Sequence, residues 1–206
     1  MSKVVLWDYP HSSASYRVRI ALNLAGIAYD AEQVDLSQKA HRTAEHLARN
    51  PQGLVPVLDI DGHRIAQSLA IIEYLDETRA LGLLPQDPAA RATLRALAYI
   101  IAVDLHPVCN MSVATHATQG QEPARTNWMR HFITPALIAF EARLAAFEQA
   151  PFATGDAPSL ADICLIPQLY NARRWGVDYS GCARIRAVEA ACQTLDAFRD
   201  AAPDAA

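Results

Sequence analysis

Strand signals run through roughly the first eighty residues of this chain and stop at "LGLLPQDP", Leu81 to Pro88. A chain whose β and α segments alternate and then give way to helices alone is restricted to an α/β layer followed by an all-helical part. In the first part, Val4 to Trp7 is a short apolar run. Val18, Ala21, Leu22 and Ala25 then recur at helical spacing and stop at Gly26. A second strand is expected from Ala28 to Val34, and a short helix around Thr43 to Ala48 before the turn "NPQG", Asn50 to Gly53. "LVPVLDIDGHRIAQS" supplies two β runs, Val55 to Ile60 and His63 to Ala66, joined by Asp61-Gly62, with Ser68 placed to cap a helix from Leu69 to Thr78. The order implies a mixed sheet.

Beyond the boundary, Asp87 followed by Pro88 reads as a helix cap with proline in the first turn. Leu94, Leu97, Ile101 and Leu105 then form an apolar stripe on a helix that meets Pro107. A long helix is expected over Thr126 to Phe147, with Phe132, Ala136, Phe140 and Phe147 inward and Pro135 within it. In "PSLADICLIPQL", Ser159 and Asp162 are spaced as an acidic capping box at the head of a nearly all-apolar helix, which should lie at the centre of a bundle. The resulting division is residues 1–82, a linker at 83–89 and a helical domain over 90–206.

Composition excludes several classes of function. With 206 residues, 51% of them hydrophobic, a net charge of −4 and eighteen scattered Lys and Arg, the chain has the makings of a core but no basic footprint for nucleic acid. No segment approaches the roughly 18 unbroken apolar residues that span a bilayer, and "MSKVVLWDYP" lacks the order of a secretory signal, so no membrane role and a cytoplasmic location are expected. Cys109, Cys164, Cys182 and Cys192 form no C-x-x-C, which predicts buried free thiols. His41, His46, His63, His106, His116 and His131 fall in no metal-binding spacing. No metal is expected.

The chemistry concentrates in "HSSASYRVRIAL", His11 to Leu22. A serine hydrolase needs a strained nucleophile elbow such as G-x-S-x-G, and no glycine occurs between Met1 and Leu24. Serines between a strand and a helix cap the helix readily. The same position offers free N–H groups, the positive end of the helix dipole and a hydroxyl donor, a combination that favours a thiolate over a thiol.

Seven segments, "SSASYRVRIAL", "NPQGLVPVLDIDG", "QSLAIIEYLDETR", "LLPQDP", "LHPVCN", "GDAPSLADICLIPQ" and "NARRWGVD", occur in an order that resembles the zeta class of the glutathione transferase superfamily along essentially the whole chain. The resemblance implies a thioredoxin-like N-terminal domain that binds glutathione, a helical C-terminal domain that supplies the second-substrate pocket, and a homodimer. It assigns the glutathione sulfur to Ser12, the first serine of the family's S-S-C motif, with Ser13 adjacent and Ala14 standing where that motif has cysteine. Val55, before an expected cis Pro56, would pair its backbone with the cysteinyl part of glutathione, and Gln67 and Ser68 would take the γ-glutamyl carboxylate. His106 and Asn110, four apart, would touch glutathione or substrate from one helix face. Arg174 corresponds to the arginine that anchors a substrate carboxylate, while Arg173 reads as a surface charge and Arg17 and Arg19 as structural. Cys109 is a further thiol beside Asn110.

The implied reaction is glutathione-dependent cis–trans isomerisation of a maleyl-type dicarboxylate, with maleylacetoacetate to fumarylacetoacetate, a step of aromatic amino-acid breakdown, as the first choice. The alternatives are conjugation of small electrophiles such as α-haloacids, maleylpyruvate isomerisation, and a non-catalytic binding protein of the same fold. Maleylpyruvate isomerases of the class carry extra arginines before the serine motif and after the "HPxxN" asparagine; here those places hold His11, Met111 and Ser112.

Overall fold

The computed structural model describes residues 3–147 and 150–203. The first compact unit contains β1 (Val5–Asp8), α1 (Ser13–Leu24), β2 (Asp30–Gln33), a 3₁₀ turn at Ala40–Arg42, α2 (Ala44–Arg49), β3 (Val57–Ile60), β4 (His63–Ala66) and α3 (Ser68–Arg79). The strands lie in the order β2-β1-β3-β4. β1 runs parallel to β2 and antiparallel to β3, with Trp7 opposite Val57, and Val57 in turn opposes Ala66 of β4. Asp61 and Gly62 both take positive φ, 52° and 81°, the conformation a tight hairpin turn requires. Leu6, Leu58 and Ile60 of the sheet and Val18, Leu22, Ile71 and Leu75 of α1 and α3 are buried. They form this unit's core.

Two local expectations shift. β3 begins at Val57 and not at Val55, in keeping with Pro56 having no N–H to give to a ladder. Helix α3 starts at Ser68 itself; Gln67 occupies the cap position at φ 74° with no side-chain cap bond. Ser68 is therefore the first helical residue and not the cap.

The second unit contains α4 (Pro88–Tyr99), a π-helical stretch at Ile100–Leu105, α5 (His106–Val108), α6 (Met111–Thr118), α7 (Ala124–Leu144), α8 (Leu160–Arg174) and α9 (Ala183–Cys192). Asp87 caps α4, accepting the Ala90 N–H at 2.7 Å, and the stripe Leu94, Leu97, Ile101 and Leu105 is buried. The capping box of α8 closes in both directions: Asp162 accepts the Ser159 N–H at 2.8 Å and its hydroxyl at 2.7 Å, and also takes the Ala153 N–H at 2.8 Å. From Leu160 to Leu169 every residue of α8 is buried, as expected of a central helix. Helix α7 differs from expectation. Its buried stripe is Met129, Ile133, Leu137, Phe140 and Leu144, while Phe132, Ala136 and Phe147 are half-buried. Phe132 stacks instead on Trp128 and His131 of its own helix, so three rings satisfy one another away from the core.

The chain from Leu195 onward, placed by sequence in the helical domain, groups with the first unit, and it includes the short α10 (Asp196–Arg199). Among the described residues no single helix is long and apolar enough to cross a membrane.

Candidate active site

The register of the sheet brings three connections to one end of the first unit. Ser12 follows the end of β1, Val55 precedes the start of β3, and Gln67 follows the end of β4, and these strand ends meet at Trp7, Val57 and Ala66. Ser12 is the cap of α1, with extended backbone (φ −75°, ψ 116°) and an Oγ that accepts the Ser15 N–H at 3.2 Å. A hydroxyl that accepts still has its proton to donate, so capping and holding a sulfur use different parts of the same group. No acidic residue occupies the first turn of α1, which leaves the positive end of its dipole uncompensated by carboxylate. Ser13 and Ala14 are half-buried at this end, whereas Ser15 is fully buried beneath it and out of a ligand's reach. The three serines of the motif are therefore not equivalent.

The Val55–Pro56 peptide bond is cis, as expected. Neither the N–H nor the C=O of Val55 is bonded to another described residue. The loop before it is tied down: the Leu54 carbonyl accepts from Asn50 Nδ2 at 2.9 Å and lies 3.1 Å from the buried His46 Nε2. Gly53, at φ 61°, is needed here because a Cβ would come within 2.8 Å of the His41 carbonyl. Gln52 Oε1 accepts from Gln67 Nε2 at 2.8 Å, linking this loop to the head of α3. Gln67 holds a positive φ without being glycine, a conformation that costs on the order of 1–3 kcal/mol and tends to persist at binding sites. Behind it Ser68 is buried, with its Oγ 3.5 Å from the Nη1 of Arg17, itself 1% exposed. The uncapped first turn of α3, backed by a buried guanidinium, suits a carboxylate. Sequence reasoning missed Gln52 and His46 as supporting residues, only the turn signal "NPQG" marking that region; Arg17, read from the sequence as structural, lies against Ser68.

In the second unit, the helical stretch carrying His106 ends at Cys109, and Asn110 (φ −60°, ψ 133°) caps a new helix, accepting the Ser112 N–H at 3.0 Å. The expectation that His106 and Asn110 share one helix face fails, because the helix breaks between them. Asn110 Oδ1 is occupied by Ser112, which leaves its Nδ2 to donate. At the end of α8, Arg173 pairs with Glu189 and donates to the Tyr179 hydroxyl at 2.8 Å, as a surface charge does. Its neighbour Arg174 lies with its guanidinium carbon 5.9 Å from the centre of the Tyr170 ring and, among the described residues, forms no ion pair. Of the two adjacent arginines, Arg173 is committed to an ion pair, and Arg174 has none among the described residues.

Cys109, Cys164, Cys182 and Cys192 are all free and buried. Burial pushes the Cys109 thiol up to about 11, so it is not a thiolate at neutral pH and offers no second nucleophile. Titration of the native protein with an aromatic disulfide reagent should accordingly release less than one thiol per chain, and all four after denaturation; rapid native labelling of Cys109 would contradict this.

A thioredoxin-like unit with a thiolate-favouring helix start, followed in the chain by an all-helical unit, defines the architecture of a glutathione transferase, and the sequence profile of the glutathione S-transferase N-terminal domain matches residues 2–77. Maleylacetoacetate isomerase of Rhizobium meliloti (strain 1021) is 56% identical over 209 aligned residues, spanning 100% of this chain and 98% of that protein. Maleylpyruvate isomerase of Ralstonia sp is 42% identical, spanning 97% of each. A solved structure described as the holo form of maleylpyruvate isomerase, a bacterial zeta-class enzyme, superposes with TM-score 0.93 at 42% identity, covering 98% of both chains. Maleylacetoacetate isomerase of Anaeromyxobacter dehalogenans 2CP-1, solved with GSH in its active site, gives TM-score 0.88 at 40% identity, covering 99% of this chain and 96% of that one. The chain belongs to the glutathione transferase family, among its zeta-class isomerases.

Proposed function

We propose that this protein is a glutathione-dependent cis–trans isomerase that converts maleylacetoacetate to fumarylacetoacetate. The observation that carries the reading is the 56% identity to the Rhizobium meliloti maleylacetoacetate isomerase across the whole chain, against 42% to the Ralstonia maleylpyruvate isomerase. The site residues fit glutathione: an unbonded Val55 backbone, an uncapped α3 head backed by Arg17, and a donor hydroxyl on Ser12 are complementary to a peptide, a carboxylate and a sulfur. When bound, glutathione supplies a sulfur nucleophile that adds reversibly to the maleyl double bond, allowing rotation before it is released unchanged.

The chain's own residues then have distinct tasks. Ser12 donates a hydrogen bond to the sulfur, and the first-turn N–H groups of α1 lower the cost of its negative charge. Val55 orients the cysteinyl portion through its backbone. Ser68, with Gln67 before it, receives the γ-glutamyl carboxylate on the head of α3. Arg174 receives a substrate carboxylate with a planar two-pronged donor and stabilises charge that builds on the conjugated carbonyl system. His106 and the Nδ2 of Asn110 contribute polar contacts to glutathione or substrate. Ala14 removes the motif's own thiol, so that the sulfur must come from glutathione.

The working molecule is read as a cytoplasmic homodimer. Four unpaired cysteines suit a reducing compartment. Sedimentation of the purified protein should give twice the mass of one chain, and a monomer would overturn the dimer. The substrate is tested by glutathione-dependent turnover of maleylacetoacetate, maleylpyruvate and an α-haloacid side by side. The highest kcat/KM is expected with maleylacetoacetate. A higher value with maleylpyruvate would reassign the substrate, conjugation of the haloacid alone would make it a transferase, and no glutathione binding in millimolar calorimetry would remove the mechanism.

A further inference from the structure

Arg19 lies on α1, seven per cent exposed, and its guanidinium joins three separate stretches of chain. Nη1 reaches both carboxylate oxygens of Asp8, at 2.9 and 2.7 Å; Nη2 donates to the Pro10 carbonyl at 2.8 Å; Nε donates to the Ala201 carbonyl at 2.8 Å. Asp8 ends β1, and Pro10 sits in the loop that delivers Ser12 to the head of α1. Ala201 comes from the far end of the sequence. Two further side chains of α1 hold that same distal stretch: the Tyr16 hydroxyl donates to the Phe198 carbonyl at 3.3 Å, and Asn23 Nδ2 to the Ala197 carbonyl at 3.1 Å. Phe198 and Ala201 are fully buried in this arrangement.

Within the loop itself the backbone bond is a single turn, the Ser12 N–H to the Tyr9 carbonyl at 2.9 Å. Arg19 adds a side-chain restraint on the Pro10 carbonyl itself, beside the edge-on contact of the Tyr9 and His11 rings that flank it. We propose that Arg19, braced by residues 195–201, is a positioning residue for the thiol site: it fixes the β1–α1 loop so that the Ser12 hydroxyl stays aimed at the glutathione sulfur. The proposal rests on the reading of Ser12 as the sulfur's partner. Arginine is required because its planar donors point in several fixed directions at once. A lysine at this place keeps the charge opposite Asp8 but has no fork with which to span both carbonyls.

The test follows the thiolate absorbance of bound glutathione as a function of pH, together with kcat and the glutathione KM. It compares Arg19→Lys, a chain ending after Thr194, Ser12→Ala, and a chain ending after Ala202 as the control. Arg19→Lys and the shorter chain are expected to raise the titration midpoint of the bound thiol toward that of Ser12→Ala and to lower kcat tenfold or more, with the glutathione KM within threefold. The chain ending after Ala202 should match the full protein. If the two variants melt earlier but titrate like the full chain, Arg19 is merely structural and the proposal falls while the Ser12 reading stands. If Ser12→Ala leaves the titration unmoved, both readings fall together. Should the shorter chain not fold, Arg19→Lys decides alone by the same titration.

Discussion

Ser12→Ala should lower glutathione-dependent turnover about 100- to 1,000-fold, the usual cost of losing one preorganised donor to developing negative charge. The structure separates this from a loss of stability. Ser12 also accepts the Ser15 N–H, so alanine removes a helix cap worth about 1 kcal/mol in addition to the sulfur's donor. Ser12→Gly retains most of the capping propensity but no hydroxyl, and Ser12→Thr retains the hydroxyl. Turnover should therefore fail in the glycine variant and recover in the threonine variant, while the thermal melting point moves little in either. Equal activity in the wild type and Ser12→Gly would show that the hydroxyl only caps α1. Ser13, the first residue of the helix, would then be the next donor to examine.

Arg174→Ala should raise KM for a maleyl dicarboxylate about 10- to 100-fold, equivalent to roughly 1.4–2.7 kcal/mol for a charge-assisted contact, and should barely alter conjugation of a neutral electrophile. Arg173→Ala is the internal control, because Arg173 is already committed to Glu189 and Tyr179. Steady-state kinetics with both substrate types reads the difference. Equal losses on charged and neutral substrates would remove the anchoring role and leave Arg174 as a residue that packs on Tyr170.

Much of this molecule was legible where the deciding contact spans a single turn. The Asp87 cap, the Ser159–Asp162 box and the Asp61-Gly62 hairpin are all made by groups within a few residues of each other, so residue type and spacing specify them. The serines at the head of α1 were legible for the same reason. Reasoning went astray where a local pattern had two solutions. In α7 the expected stripe is right at Phe140, which is fully buried, but Phe132 is satisfied by neighbouring rings and stays half-buried. Between His106 and Asn110 the spacing suggested one face, but Asn110 takes extended backbone and opens a new helix.

From the sequence alone came the class of fold, the boundary after the strand-bearing region, the thiolate-favouring helix start with alanine in place of cysteine, and the pair of arginines at the end of α8. Tertiary structure alone showed that Glu189 and the Tyr179 hydroxyl hold Arg173, that Arg17 backs Ser68, and that the chain after Leu195 returns to α1. The physical reason is distance along the chain. Capping and turn chemistry are written within a few residues, whereas the bond from Arg19 to Ala201 joins groups 182 residues apart, and its donor and acceptor leave no pattern until the core has brought them together.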